Sequence, residues 1–475
     1  MKALPILDER ATGIDVGSES LHVSIGGGAP KVTGTMTSEV QALVAWLVQQ
    51  GVRSVALEAT GVYWLYLYEA LEAAGIEVLV VNGRHVRNLP GRKSDMSDCQ
   101  WLATLHAHGL LRSGFVPPAD IRRLRDYIRL RQDHISMAAS HVQHMQKALE
   151  RMNIKLHDTI SSLTSVSGLK VIRAILAGQR DPQRLLALCD AQIRRNKAER
   201  VRESLRGTWR PEHLFALEQA LRAWEFYQEL IAQCDKAVEQ QLHELARSAT
   251  AAGAQTGGQD RLDGQSGQGG PDDRNGPGAG GNGAAGKPGK GKPASVNTPR
   301  IDGLHRLLLQ VCGNKDATQL PGMAEHSLLQ VIAEVGVDLS KWPTQQHFTA
   351  WSGLAPAAAQ SGKRRTRQAR HRNRTGELFC TMARSLARSV DKGFGGFYRR
   401  LKARRGGLVA NKALARKLAA MFWQIMVHGT EYVERGLRQY EERVKLTEQR
   451  LLNKLAAKLN CQVVPKINDL AAVPG

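Results

Sequence analysis

The sequence predicts an α/β domain at the N-terminal end, long helices after it, and a mainly α-helical C-terminal part. Three observations carry this. Short β-rich runs alternate with helical stretches over residues 12–110. Apolar residues then recur in alternating steps of three and four along two long segments. Beyond residue 300 the apolar stretches have helical length and spacing.

In chain order, ATGIDVG and LHVSIGG read as two strands joined by a tight Gly-Ser turn, and KVTGTMT as a third. Ser38 is the expected cap of a helix ending near Gln50. RSVALE is a short strand, a helix follows from about Val62 to Ala74, and IEVLVVN is another buried strand. Ser94 is the expected cap of a helix through SDMSDCQWLATLHAH. Over 119–155, Ile121, Leu124, Ile128, Ile135, Ala138, Val142, Met145, Leu149 and Met152 form a heptad seam with Arg131 as its gap. A second long helix over 211–247 keeps the rhythm through Leu214, Leu217, Leu221, Trp224, Ile231, Val238, Leu242 and Leu245, broken at Gln228 and Asp235. These coiled-coil helices pair either as an antiparallel hairpin within the chain or between protomers. Residues 249–299 are Gly- and Pro-rich with almost no apolar content, as in a flexible tether. From 301 to 430 the expectation is a turn and helix in LPGMAEHSLLQVIAEVG, a basic loop in WSGLAPAAAQSGKRRTRQARHRNRTG, and helices in ELFCTMARSLARSV and VANKALARKLAAMFWQIMVHG. A charged helix closes the chain over about 430–459. The expected domains are 1–115, 116–248, 249–299, 300–430 and 431–475.

The net charge of +22 points to a polyanionic partner, of which nucleic acid is the commonest. Residues 1–110 hold eight Lys/Arg against eleven Asp/Glu, so the cation surplus lies wholly beyond them. Carboxylates in one part and cations in the rest suit an enzyme with a metal site beside a phosphate-gripping surface. The six cysteines form no CxxC pair, which excludes a zinc ribbon or disulfide framework and suggests buried thiols in a reducing cytoplasm. The N-terminus lacks a signal-peptide core and no apolar run reaches membrane-spanning length, so a cytoplasmic protein without a membrane partner is expected.

Asp15 lies in GIDVG and Glu58 in ALEATG, each where an apolar strand ends. Asp95 and Asp98 lie in KSDMSD, three apart at a helix start, and so share a helical face. Acidic residues at strand ends need a cation to balance them. The distribution matches an RNase H-like, RuvC-type nuclease arrangement. Mg²⁺ prefers carboxylate, water and phosphate oxygens, and two such ions about 3.5–4 Å apart serve phosphoryl transfer. Taken singly, Asp15 reads equally as a turn residue and Asp95 as an acid favoured by the helix dipole.

Ser361 precedes Gly362 and a run of seven cations, Lys363, Arg364, Arg365, Arg367, Arg370, Arg372 and Arg374. Arginine matches phosphate oxygens through paired donors, and the same charges favour an alkoxide. On the residues alone, a phosphate-gripping loop with an incidental serine is the favoured reading.

GIDVG, LEATG, VLVVN and KSDMSD, followed in order by LPGM, FTAWSGLAP and QSG, resemble the DEDD insertion-sequence transposases related to the Piv invertase, whose recombination a bridge RNA guides. The resemblance covers nearly the whole chain outside the tether and final helix. It implies an N-terminal RuvC-like domain, a coiled-coil connection and a C-terminal transposase domain. Asp15, Glu58, Asp95 and Asp98 match the metal-binding tetrad and Ser361 the nucleophile that links to DNA. It further implies donor and target DNA, a structured guide RNA, and a homodimer or homotetramer. The chain departs from the family pattern at PGM followed by Ala324 and in the alanine-rich segment before Ser361. Ser352, in WSG, is the rival serine, and its apolar surroundings predict a structural role. A junction nuclease without a covalent intermediate and a non-catalytic nucleic-acid-binding protein are the alternatives.

Overall fold

A computed structural model describes residues 5–59, 61–83, 98–256, 297–356, 359–361, 364–366, 371–389, 393–429, 446 and 449–463. The chain divides into two compact units, Met1–Pro117 and Pro118–Gly475.

The first unit is built on a five-stranded mixed sheet in the order β3-β2-β1-β4-β5. Strands β1 (Thr12–Val16), β2 (Ser20–Ile25) and β3 (Lys31–Gly34) form an antiparallel meander. β4 (Ser54–Glu58) and β5 (Glu77–Val81) add in parallel beside β1. The parallel pairs need crossovers, supplied by α1 (Thr37–Gln49) and α2 (Trp64–Ala73). The two-residue alternation decides the faces. Ile14, Val16, Leu21, Val23, Val55 and Leu57 point to one side and pack with Val40, Leu43, Leu47, Leu67 and Leu71 of the two helices. The opposite face is covered by α3 (Asp98–Ala107). This mixed sheet with helices on both faces fits a DEDD RNase H-like domain. Ser38 does not cap α1. The cap position is Met36, and Glu39 reaches back to accept its backbone N–H at 3.0 Å. The Ser94 cap lies outside the described residues.

The second unit opens with α4 (Ala119–Arg151), which packs along most of its length on α10 (Pro211–Thr256). The partners run in opposite order, Arg123 with Glu244 and Arg131 with Asp235, so the two helices are antiparallel within one chain. The gap of the first seam, Arg131, meets one of the two gaps of the second, Asp235. Arg131 and Asp235, both buried, pair at 2.5 Å. α10 runs past residue 247 to Thr256, into the start of the expected tether, because TAAGAQT offers alanines and no breaker strong enough to stop it.

Five short helices between the long ones went unread in the sequence: α5 (Leu156–Thr159), α6 (Val166–Leu176), α7 (Pro182–Ala187), α8 (Ala191–Asn196) and α9 (Ala198–Ser204). They close the helix pair with a core of Met145, Leu149, Ile154, Val171, Ile172, Leu185, Val201 and Leu217. Side-chain caps at Ser165, Asp181 and Asp190 start three of them.

The rest comprises α11 (Leu304–Val311), α12 (Glu325–Val335), α13 (Gln345–Trp351), a hairpin of β6 (Ala359–Ser361) and β7 (Arg364–Thr366), then α14 (Arg374–Ala387), α15 (Phe394–Arg405) and α16 (Gly407–His428). The segment read as one basic loop therefore contains a two-stranded element. Phe348, Phe379 and Phe422 are fully buried at the centre of these helices, with ring centroids 5.8–6.3 Å apart. Each contributes about 1.5–3 kcal/mol of burial. Five cysteines are buried, but Cys461 is exposed, against the expectation for all six. Among the described residues no helix is long and apolar enough to cross a membrane.

Candidate active site

Asp15 and Glu58 are neighbours by strand register. Ile14 pairs with Leu57 across β1 and β4, and the next residue on each strand is the acid. Period-two alternation puts Asp15 on the face of Gly13, and Glu58 on the face of Ser54 and Ala56. That is the face α3 covers. A Cβ on Gly13 would lie 2.2 Å from the Cys99 carbonyl oxygen and 2.4 Å from the Ala103 nitrogen, so only glycine lets this helix lie on β1. At the other end of α3, His106 Nε2 stands 2.8 Å from Ser54 Oγ. Burial lowers the His106 pKa, against the opposing fields of Asp8 and Glu77. α3 thus runs against β4, its end at the strand's beginning and its start toward the strand's end. Asp98 is its first described residue.

Asp15, Glu58 and Asp98 consequently stand at one end of one sheet, the first two half-buried and the third exposed. Gly83, just past β5, leaves room for Glu58: a Cβ there would sit 1.8 Å from Glu58 Oε1. Asp95 lies outside the described residues. Among the described residues, no group of three or more acidic, His or Cys side chains is close enough to hold a metal ion. The donor chemistry nevertheless suits a hard divalent cation, since what this end of the sheet supplies is carboxylate oxygen. One residue the sequence reading missed is His22, directly across from Asp15 in the β1–β2 register and 3.3 Å from Ser20 Oγ through Nε2. The alternation in LHVSI held the signal, but only the register puts an imidazole beside the acid.

In the second unit, Ser361 ends β6 and pairs with Arg364 of β7; Arg365 follows opposite Gln360. Lys363, Arg367 and Arg370 lie outside the described residues. Arg372 and Arg374 flank the start of α14. Arg372 contacts Glu377 at 2.7 Å and donates to Cys380 Sγ at 3.3 Å. Arg374 lies 3.6 Å from Glu334, which also takes a two-point contact from Arg129 at 3.0 and 2.8 Å. Asn373 caps α14 by accepting the Gly376 N–H at 2.9 Å and donates to the Trp351 carbonyl, tying the basic segment to α13. Ser352 is fully buried, and its hydroxyl donates to the Phe348 carbonyl at 2.9 Å. A hydroxyl held this way by its own helix is a packing group.

Residues 12–154 match a family model for DEDD transposases of the IS110 kind, described as Transposase. Residues 315–399 match a second, described as Transposase IS116/IS110/IS902 family. The first match spans the carboxylate sheet and α4, the second the hairpin with Ser361. No curated protein matches the chain.

Proposed function

We propose, on the support of its two matched segments, that the chain is an IS110-family transposase of the DEDD type that cuts and rejoins DNA through a serine–DNA link beside a carboxylate-held cation centre. The observation that carries this reading is that Asp15, Glu58 and Asp98 stand at one end of one sheet, with α3 laid over them by Gly13. Asp15, Glu58, Asp95 and Asp98 would hold divalent metal, read as two Mg²⁺ ions. When bound, such ions supply Lewis-acid polarisation of the scissile phosphate and neutralise charge on the leaving oxygen.

The chain's own residues do the rest. Ser361 Oγ attacks phosphorus; the new Oγ–P bond forms as the bond to the 3′ oxygen breaks. The serine proton ends on that oxygen, leaving a phosphoserine and a free 3′ hydroxyl. Attack by a 3′ hydroxyl of the exchanged strand reverses the step and releases the serine. Lys363, Arg364, Arg365, Arg367, Arg370, Arg372 and Arg374 hold the backbone on either side. The serine and the carboxylates must come to one phosphodiester during the reaction, within one chain or between two. A guide RNA pairing with donor and target DNA would carry sequence choice, with the protein reading backbone and shape. We place the reaction in the cytoplasm, in a homodimer or homotetramer.

The test is a denaturing gel that resolves covalent protein–DNA adduct. Ser361→Ala should form none, and Ser352→Ala should form it as the parent does. Adduct from Ser361→Ala but not Ser352→Ala would overturn the serine assignment. Cleavage without any adduct would favour direct attack by water.

A further inference from the structure

We propose that the turn after β1 and the start of α2 form a subsite for one unpaired nucleobase of the strand being cut, an inference that rests on the carboxylate reading above. A cavity of about 170 Å³ opens here on the α1–α2 side of the sheet, lined by Gly17, Ser18, Thr35, Tyr63, Tyr66 and Leu67 above the apolar Leu21 and Val40. It holds about five or six waters at ~30 Å³ each. That is below the ~300–1,000 Å³ of pockets that take cofactors or drug-sized ligands. One flat ring system is the size it accepts.

Its position gives the ring an origin. Gly17 lies two residues beyond Asp15, so the rim begins roughly 7 Å along the chain from that acid. The other wall starts at Tyr63, shortly after Glu58 on the same chain. The carboxylates face α3 and the cavity faces α1 and α2, so a strand held at the acids reaches it by turning its base around the end of the sheet.

The lining chemistry selects a base over a phosphate. No charged side chain lines the cavity. Tyr63 and Tyr66 are 53% and 43% exposed, large rings left in water beside an acidic edge. Packing does not explain them, since Leu67 and Leu71 of the same helix make its core contacts. Aromatic rings stack on any base, and the phenol hydroxyls offer donors and acceptors to its edge. The rim is already fixed: Thr35 Oγ1 donates to the Ser18 carbonyl at 3.1 Å, and the Gly17 N–H to the Ser20 carbonyl at 3.0 Å. A base inside a duplex stack cannot enter, so the substrate must present an unpaired nucleotide at the cut.

Photocrosslinking tests this directly. The full-length protein is irradiated with a thymidine oligomer carrying a single 5-iodouracil, and the adducts are mapped by mass spectrometry. The expected adduct is on the peptide holding Tyr63 and Tyr66, lost in Tyr63→Ala/Tyr66→Ala. That variant should also cleave DNA with an unpaired nucleotide at the cut about tenfold more slowly, while Tyr63→Phe/Tyr66→Phe cleaves as the parent does. Adducts confined to other peptides would overturn the proposal, as would parental cleavage by the alanine variant. Loss in the phenylalanine variant would overturn stacking as its basis. Asp15→Asn separates the two levels: if it still cleaves, the carboxylate reading fails whatever the crosslink shows.

Discussion

Replacing Asp235 with alanine should destabilise the second unit severely, and the structure supplies the size of the effect. The side chains of Arg131 and Asp235 are 3% and 5% exposed, with Nε and Oδ1 2.5 Å apart. Asp235 also accepts the Arg300 backbone N–H at 3.0 Å, and Arg131 donates to the Asn297 carbonyl at 2.9 Å. Asp235→Ala leaves a guanidinium buried without its anion, which costs about 3–5 kcal/mol. Loss of the Arg300 bond adds roughly 1 kcal/mol. Arg131→Met/Asp235→Leu removes both charges and should recover most of this, because no charge is then left buried between the two helices. Glu244→Ala, which breaks an exposed pair at 3.6 Å, is the control and should cost at most ~1 kcal/mol. Urea unfolding followed by far-ultraviolet circular dichroism measures all four proteins. A cost for Asp235→Ala below about 1 kcal/mol, matching the control, would refute the claim that the two seam gaps form a dry, mutually dependent pair.

Burial lowers the His326 pKa to about 4, with Arg131 lowering it further and Asp235 opposing. The unfolded chain therefore takes up this proton first. The associated stability is complete above about pH 6.5 and is lost as pH falls towards 4, up to about 3 kcal/mol; His326→Gln should flatten that limb of a stability–pH curve. Gly13→Ala should lower stability by about 2 kcal/mol or more through the clash with α3, and should lower DNA cleavage further because Asp98 moves with the helix. Melting and cleavage assays on the same preparation check both. Ser352→Ala should cost about 1 kcal/mol of stability and leave adduct formation intact, read by melting and by the denaturing gel.

The alternation of strands and helices was legible up to Val81 because each strand is short, β-branched and bounded by glycine or a polar turn. The seams of α4 and α10 were legible too, and two of their three polar gaps, Arg131 and Asp235, proved to be partners. What the seams could not give was the choice between pairing within a chain and between chains, since apolar periodicity is the same in both. Four of the short helices over 156–204 escaped because they run seven residues or fewer, too short to show a period; the eleven-residue Val166–Leu176 did carry one, at Val171, Ile172 and Ile175. Their signals were caps, Ser165, Asp181 and Asp190, which mean little before a core is known. The hairpin at Ser361 was hidden by charge: a run of arginines reads as a solvated loop. Gly362-Lys363 between two short runs is nevertheless the composition of a two-residue hairpin connection. At the carboxylate edge, sequence singled out the acids by their strand-end positions. It could not single out Gly13, Gly83, His22 or the Tyr63–Tyr66 rim, whose meaning depends on register and on what lies across the sheet.

The most direct test of the carboxylate centre is Mn²⁺ binding to the full-length protein, followed by electron paramagnetic resonance as free ion is depleted. The parent should bind Mn²⁺ in competition with Mg²⁺, and Asp15→Asn and Glu58→Gln should each weaken that binding by tenfold or more while keeping the parental fold. Parental Mn²⁺ affinity in both variants would contradict the account.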